Sequence, residues 1–191
     1  MTTAHAYALP LAPYFNGKAV SWPDLGIWGC MEHSFSSLPG PLLPNGERIE
    51  CEGIPFQFPA TDTTDDDHIS CEGQILELRC DRPFRQLALI GVTTWGDYED
   101  TVRFTYERDG QTFSSRARLG LSDLCKLWDY KELSYGERVA LRMPYYWRDR
   151  KPLEFPVGLW LQTLDLDPAA LLQTVELPDN PYMYIFAITL L

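Results

Sequence analysis

Apolar and polar positions alternate with period two along much of the chain, and helical spacing is rare. Val102, Phe104 and Tyr106 alternate with Arg103, Thr105 and Glu107, and segment 111–118 sets Phe113, Ser115 and Ala117 against Thr112, Ser114 and Arg116. Asp109-Gly110 lies between the two runs. This pattern predicts a hairpin, because a tight two-residue turn needs positive φ at both central positions. Segment 137–143 alternates again, Val139, Leu141 and Met143 against Arg138, Ala140 and Arg142. Segment 74–80 gives a mixed period-two pattern, Ile75, Glu77 and Arg79 opposite Leu76, Leu78 and Cys80. Segment 86–93 is almost continuously apolar, as expected of a strand buried on both faces. A strand pair interrupted at Gly53 is predicted over 47–58, and another strand over 157–166. Asp167-Pro168 predicts one helical turn over 168–172. Two strands, 173–177 and 183–190, flank a predicted turn at Asp179, Asn180 and Pro181. The run from Met183 to Leu190 is the most apolar strand and is expected inside a sheet.

Residues 1–50 read mostly as loop, with scattered Tyr14, Phe15, Trp22, Trp28 and Phe35. Fifteen prolines and thirteen glycines divide the chain into short segments, and no helix longer than two turns, repeat or linker is visible. Many short strands with turn signals between them predict an all-β fold, an antiparallel β-sandwich. A chain of 191 residues fits one domain, 1–191, with 1–12 as a segment that could be loose.

Charge narrows the partners. The formal net charge of −11 disfavours nucleic acid and anionic membranes, which both need clustered Lys and Arg. No apolar run is long enough to span a bilayer. The start, M-T-T-A-H-A-Y-A-L-P, lacks the basic and apolar regions of a secretory signal, so a cytoplasmic location is expected. Cys30, Cys51, Cys71, Cys80 and Cys125 form an odd set without C-x-x-C, which points to small buried hydrophobes and away from a disulfide framework or zinc ribbon.

Several motifs carry a resemblance when taken in order. They are Tyr14-Phe15-Asn16, Gly53-Ile54-Pro55-Phe56-Gln57-Phe58-Pro59, Gly73-Gln74-Ile75, Leu87-Ala88-Leu89-Ile90-Gly91 with Trp95-Gly96, the Asp109-Gly110 hairpin and Leu121-Ser122-Asp123. Leu177-Pro178-Asp179-Asn180-Pro181 and Ile185-Phe186-Ala187-Ile188-Thr189-Leu190 close the series. From about residue 10 the chain resembles the galactose-binding-like β-sandwich (jelly-roll) modules of bacterial glycoside hydrolases of the α-fucosidase and α-rhamnosidase type. The resemblance implies a jelly roll that binds carbohydrate without catalysing a reaction, with a saccharide or glycoconjugate as partner. It also implies that a structural calcium ion could be bound.

Sugar recognition sets an aromatic face against the C–H side of the ring and gives the hydroxyls polar partners, within a concave site. Three segments have such residues: 94–100 with Trp95, Asp97 and Tyr98; 123–130 with Asp123, Trp128, Asp129 and Tyr130; and 145–150 with Tyr146, Trp147 and Arg148. All three are expected to be loops, which can converge at one end of a sandwich. The acidic stretch 61–68 reads first as a solvated acidic turn and also offers Asp62, Asp65, Asp66 and Asp67 as calcium ligands, without EF-hand spacing; no other cofactor is expected. Two further readings use some of the same residues. A small enzyme acting on a sugar or sugar derivative would draw on Glu32-His33, His68 beside Asp67, and Asp97, Asp123 or Asp129. An assembly protein would use the aromatic segments as a homo-oligomer interface.

Overall fold

Alternating segments pair into ladders, antiparallel except between residues 20–21 and 38–39, in the computed structural model, which describes residues 6–31, 34–78, 81–128 and 132–191. The described residues contain strands and short 3-10 turns but no α-helix, and no helix long and apolar enough to cross a membrane. Strands are numbered along the chain. The main sheet runs β1 (Tyr7–Ala8), β16 (Asp179–Leu190), β8 (Gln86–Thr93), β14 (Val157–Asp165) and β11 (Arg138–Met143), with β6 (Ile69–Glu72) also pairing with β16. The second sheet runs β10 (Gln111–Leu121), β9 (Tyr98–Arg108), β15 (Leu171–Glu176) and β7 (Ile75–Glu77). Strands β9 and β10 contact β16, β8 and β14 of the main sheet, so the fold is an all-β sandwich. A third, small sheet runs β13 (Lys151–Leu153), β12 (Tyr146–Arg148), β3 (Ser36–Pro39) and β2 (Val20–Ser21). Strands β4 (Arg48–Cys51) and β5 (Ile54–Gln57) form a separate hairpin.

Strand β16 lies inside the main sheet, as its apolar run predicts, and every residue from Met183 to Leu190 is buried. The β4–β5 hairpin covers part of it: Phe58 stacks on Phe186 with centroids 5.9 Å apart, and the Thr189 hydroxyl donates to the Pro55 carbonyl at 2.7 Å. Continuous burial explains the lack of alternation in the sequence, since neither side chain parity meets water. The register slips between Ile185 and Ala187 against β8. Gly91 sits at this bulge, where an added Cβ would lie 2.7 Å from the Tyr184 carbonyl oxygen.

The predicted hairpin turns at Asp109 and Gly110, with φ of 53° and 75°. Val102, Phe104 and Tyr106 face inward, and their polar neighbours do not. Strand β7 buries Leu76 and exposes Ile75 and Glu77; Arg79 and Cys80 of that predicted segment lie outside the described residues.

Four local expectations are corrected. Asp179 and Asn180 do not turn; they pair with Glu72 and Cys71, and the irregularity between Asn180 and Tyr184 is a bulge that accommodates Pro181, which has no N–H to give a ladder. Residues 168–172 form no helix: Asp167 Oδ1 accepts the Ala169 N–H at 2.9 Å, and β15 begins at Leu171. The start of the chain is not loose from Tyr7 onward, because Tyr7 and Ala8 pair with Leu190 and Thr189, and Leu9 and Leu11 are buried. The acidic stretch is not uniformly solvated, because Asp67 and His68 are buried.

Asp67 fastens the chain start to the sandwich. Its carboxylate accepts the Ala19 N–H at 2.7 Å and the Val20 N–H at 3.2 Å, and pairs with Lys18 Nζ at 2.8 Å. His68 Nδ1 lies 3.2 Å from the same carboxylate and Nε2 lies 3.2 Å from Ser70 Oγ. The His68 ring is wedged against Tyr184 and Phe186. Replacing Asp67 with Ala would leave Lys18 and two amides without their buried partner, a loss on the order of 3–5 kcal/mol. Urea denaturation is expected to show a midpoint shift of that size at unchanged slope.

Candidate functional site

The ends of several strands meet at one end of the sandwich. After β10, the Ser122 carbonyl accepts the Thr93 N–H at 3.2 Å, and the Leu124 N–H donates back to the Thr93 carbonyl at 2.8 Å. The Leu124 carbonyl accepts the Gly158 N–H at 3.1 Å, joining the start of β14. Trp160, fully buried, donates its indole N–H to the Ser122 carbonyl at 2.6 Å. The start of the 122–137 segment is therefore held by backbone bonds from strands of the main sheet.

Carboxylates complete that hold. Asp97 accepts the Asp123 N–H at 2.9 Å and the Ser134 hydroxyl at 2.5 Å, and pairs with Lys126. Glu137 is buried and accepts the Ser122 N–H at 2.6 Å and the Tyr135 N–H at 2.7 Å. Burial pushes the Asp97 carboxyl up, but the hydrogen bonds from Lys126, Ser134 and the Asp123 amide, with the Lys126 charge, outweigh it and leave the group below its ordinary value.

Beside this frame lies a pocket of about 150 Å³, lined by Ser34, Ser36, Thr94, Trp95, Asp123, Leu124, Cys125, Tyr146 and Arg148. The third sheet forms one wall, because Ser36 of β3 pairs with Arg148 of β12. Trp95 is 59% exposed with φ of 66°, and the Arg148 guanidinium lies 6.0 Å from its ring centroid. Phe35 stands between the lining residues Ser34 and Ser36; it is 65% exposed with φ of 54°. Large side chains rarely adopt such φ, so the backbone at both positions is held in a sparsely populated conformation. Asp123 Oδ1 accepts the Cys125 N–H and Oδ2 the Gly96 N–H, each at 2.8 Å. Burial pushes the Cys125 thiol up to about 11, aided by the Asp123 charge and opposed by Tyr146 and Arg148. Burial likewise raises the Tyr146 hydroxyl, and the neighbouring Cys125 adds to this while Arg148 opposes it.

Of the residues singled out in the sequence, the pocket brings together Trp95, Asp123, Tyr146 and Arg148, one or more from each of the three segments. The other four serve elsewhere. Asp97 braces the 122–137 segment. Tyr98 belongs to β9 rather than to a loop and stacks on Tyr182 at 5.6 Å. Trp128 packs edge-on against Phe155 at 4.1 Å. Trp147 lies edge-on to Trp28 and Tyr145, because residues 146–148 form strand β12 and not a loop, and adjacent side chains on a strand point to opposite faces. Glu32, His33, Asp129 and Tyr130 lie outside the described residues. Ser34, Ser36, Thr94 and Cys125 had no signal: isolated hydroxyls and a lone thiol acquire meaning only from the surface they share. Phe35 was visible only as one scattered aromatic.

The Asp67 carboxylate is engaged by Lys18, His68 and two amides. Asp62, Asp65 and Asp66 are exposed, and no group of three His, Cys, Asp or Glu side chains that could hold a metal occurs among the described residues.

A comparison with curated proteins finds no match. The galactose-binding likeness therefore rests on the order of motifs in the sequence alone. The sandwich itself is shared with a wider group: the family model described as the AziU2-like beta-sandwich domain matches residues 5–191, and the chain belongs to that family.

Proposed function

We propose that the protein is a non-catalytic binding module that takes a saccharide at the Trp95 pocket. The observation that carries the reading is the exposed Trp95 ring, held on a left-handed backbone at the rim of a concavity lined by Ser34, Ser36 and Thr94, whose hydroxyls donate to the Met31 carbonyl, the Ser34 carbonyl and the Tyr184 hydroxyl and keep lone pairs to accept. An indole face left in water has an unfavourable hydration that a sugar's C–H face relieves, and hydroxyl-bearing walls suit the ring's polar edge. At about 150 Å³ the pocket is smaller than sites for drug-sized ligands, roughly 300–1,000 Å³. That size suits one sugar ring entering by its edge. A binding role is also supported by the state of the pocket's reactive groups. Cys125 is kept as a thiol, and each Asp123 oxygen already accepts an amide.

Isothermal calorimetry against a panel of monosaccharides and glycosides tests the reading. Trp95→Ala is expected to weaken the best ligand at least tenfold, and Trp128→Ala, outside the pocket, less than twofold. A folded protein that binds no saccharide at millimolar concentration would overturn the proposal.

Acid is expected to lower folding stability through Asp97. Its folded pKa lies below its unfolded one, so its contribution is full above the unfolded value and is lost as pH falls through the folded value. Folding stability should therefore persist through about pH 5 and decline only below the usual carboxylate range near 4, and Asp97→Asn should flatten that acid limb in a series of urea midpoints against pH.

Thiol chemistry is expected to be slow. With its pKa near 11, Cys125 is almost wholly protonated at neutral pH. Mass-mapped alkylation by iodoacetamide at pH 7.5 should modify exposed Cys30 well before Cys125.

A further inference from the structure

The cationic side of the pocket carries the inference further. Lys18, Arg103, Arg108, Arg118, Lys126 and Arg138 each have a carboxylate partner within 4 Å, whereas the exposed Arg48, Arg116, Arg142, Arg148 and Arg150 pair with no carboxylate among the described residues. Arg148 has no ion pair among the described residues; its contacts are the Trp95 ring and the side chains of Tyr146 and Cys125. It is exposed, and it is the one cation among the residues lining the pocket. In a chain of net charge −11, this guanidinium lines a pocket whose carboxylate, Asp123, accepts two amides and forms no ion pair with it. Its planar fork of N–H donors matches a carboxylate in two parallel hydrogen bonds.

The rest of the pocket fixes the orientation of such a ligand. Asp123 is more buried than Arg148, and each of its oxygens has accepted one amide while retaining a further lone pair. It can accept a ligand hydroxyl but would repel a ligand anion. The Arg148 guanidinium carbon lies 6.0 Å from the Trp95 ring centroid, so the two border the same part of the pocket. The ligand's acid group is thus directed outward to Arg148, its apolar ring face to Trp95 and its hydroxyls inward to Asp123 and the serines.

We infer that the pocket selects a carboxylate-bearing ring, a uronic acid or its glycoside, with Arg148 as the residue that distinguishes acidic from neutral sugars. This rests on the saccharide reading above and adds the charge of the ligand to it. The carboxylate could also belong to a cyclic acid that is not a sugar, and the ligands used in the test separate the two.

Calorimetric titration of the whole chain at low salt would compare methyl glucuronoside and methyl galacturonoside with their neutral methyl glucoside and galactoside counterparts, and with cyclohexanecarboxylate. At least one uronoside is expected to bind ten or more times tighter than its neutral counterpart. The gap should shrink to within twofold in Arg148→Gln and partly persist in Arg148→Lys. It should remain in Arg116→Gln, which removes the same charge from an exposed position on β10. An unchanged thermal midpoint would show that Arg148→Gln is folded. Equal binding of acidic and neutral sugars would overturn the inference and leave the saccharide reading intact. Arg148-dependent binding of cyclohexanecarboxylate as tight as that of the uronosides would support the carboxylate site and overturn the sugar. Failure of every acid to bind would overturn the inference.

Discussion

Strand β16 must be buried on both faces, and much of the architecture follows from that requirement. Its run from Met183 to Leu190 carries apolar side chains at nearly every position, so a sheet with one face in water would leave half of them exposed. The β4–β5 hairpin closes over it through Phe58 and Pro55, and the second sheet supplies the opposite layer. The segment before β6 must then run close to β16. That proximity places His68 against Tyr184 and Phe186 and puts Asp67 beneath the backbone of Ala19 and Val20. A carboxylate so deeply buried is tolerable only because a lysine, an imidazole and two amides surround it.

The site inherits its rigidity from the same scaffold. Thr93 ends β8, the neighbour of β16, and its backbone holds Ser122 and Leu124. From there Asp97 and Glu137 hold the amides of residues 122, 123 and 135, so this part of the pocket wall is set by hydrogen bonds within the fold. The strained conformations at Phe35 and Trp95 are thus imposed by an over-determined surround, the condition under which backbone strain persists. Trp95, the neighbouring Phe35 and Arg148 are exposed at the pocket's edge.

The sequence reading reached the three segments that carry the site but misassigned several residues within them. Trp95 and Arg148 were legible because an aromatic or arginine beyond a strand is conspicuous. Trp147 was conspicuous for the same reason, yet strand parity turns it toward Trp28 and Tyr145. Asp97 has the residue type of a sugar-binding carboxylate and is used to brace a loop. Residue type shows what a side chain can do, and its neighbours determine which of those things it does.

The sequence by itself determined the strands with clean alternation, the Asp109-Gly110 turn and the interior place of β16, because these depend on local periodicity and local φ. Only the tertiary structure decided that Asp67 is a buried anchor and not a solvated acid, that Asp179 to Pro181 continue a strand, and that Ser34, Thr94, Cys125 and Arg148 share one wall. Those outcomes depend on contacts between residues far apart in the chain, and the spacing of residues along one segment carries no record of what another segment will bring beside it.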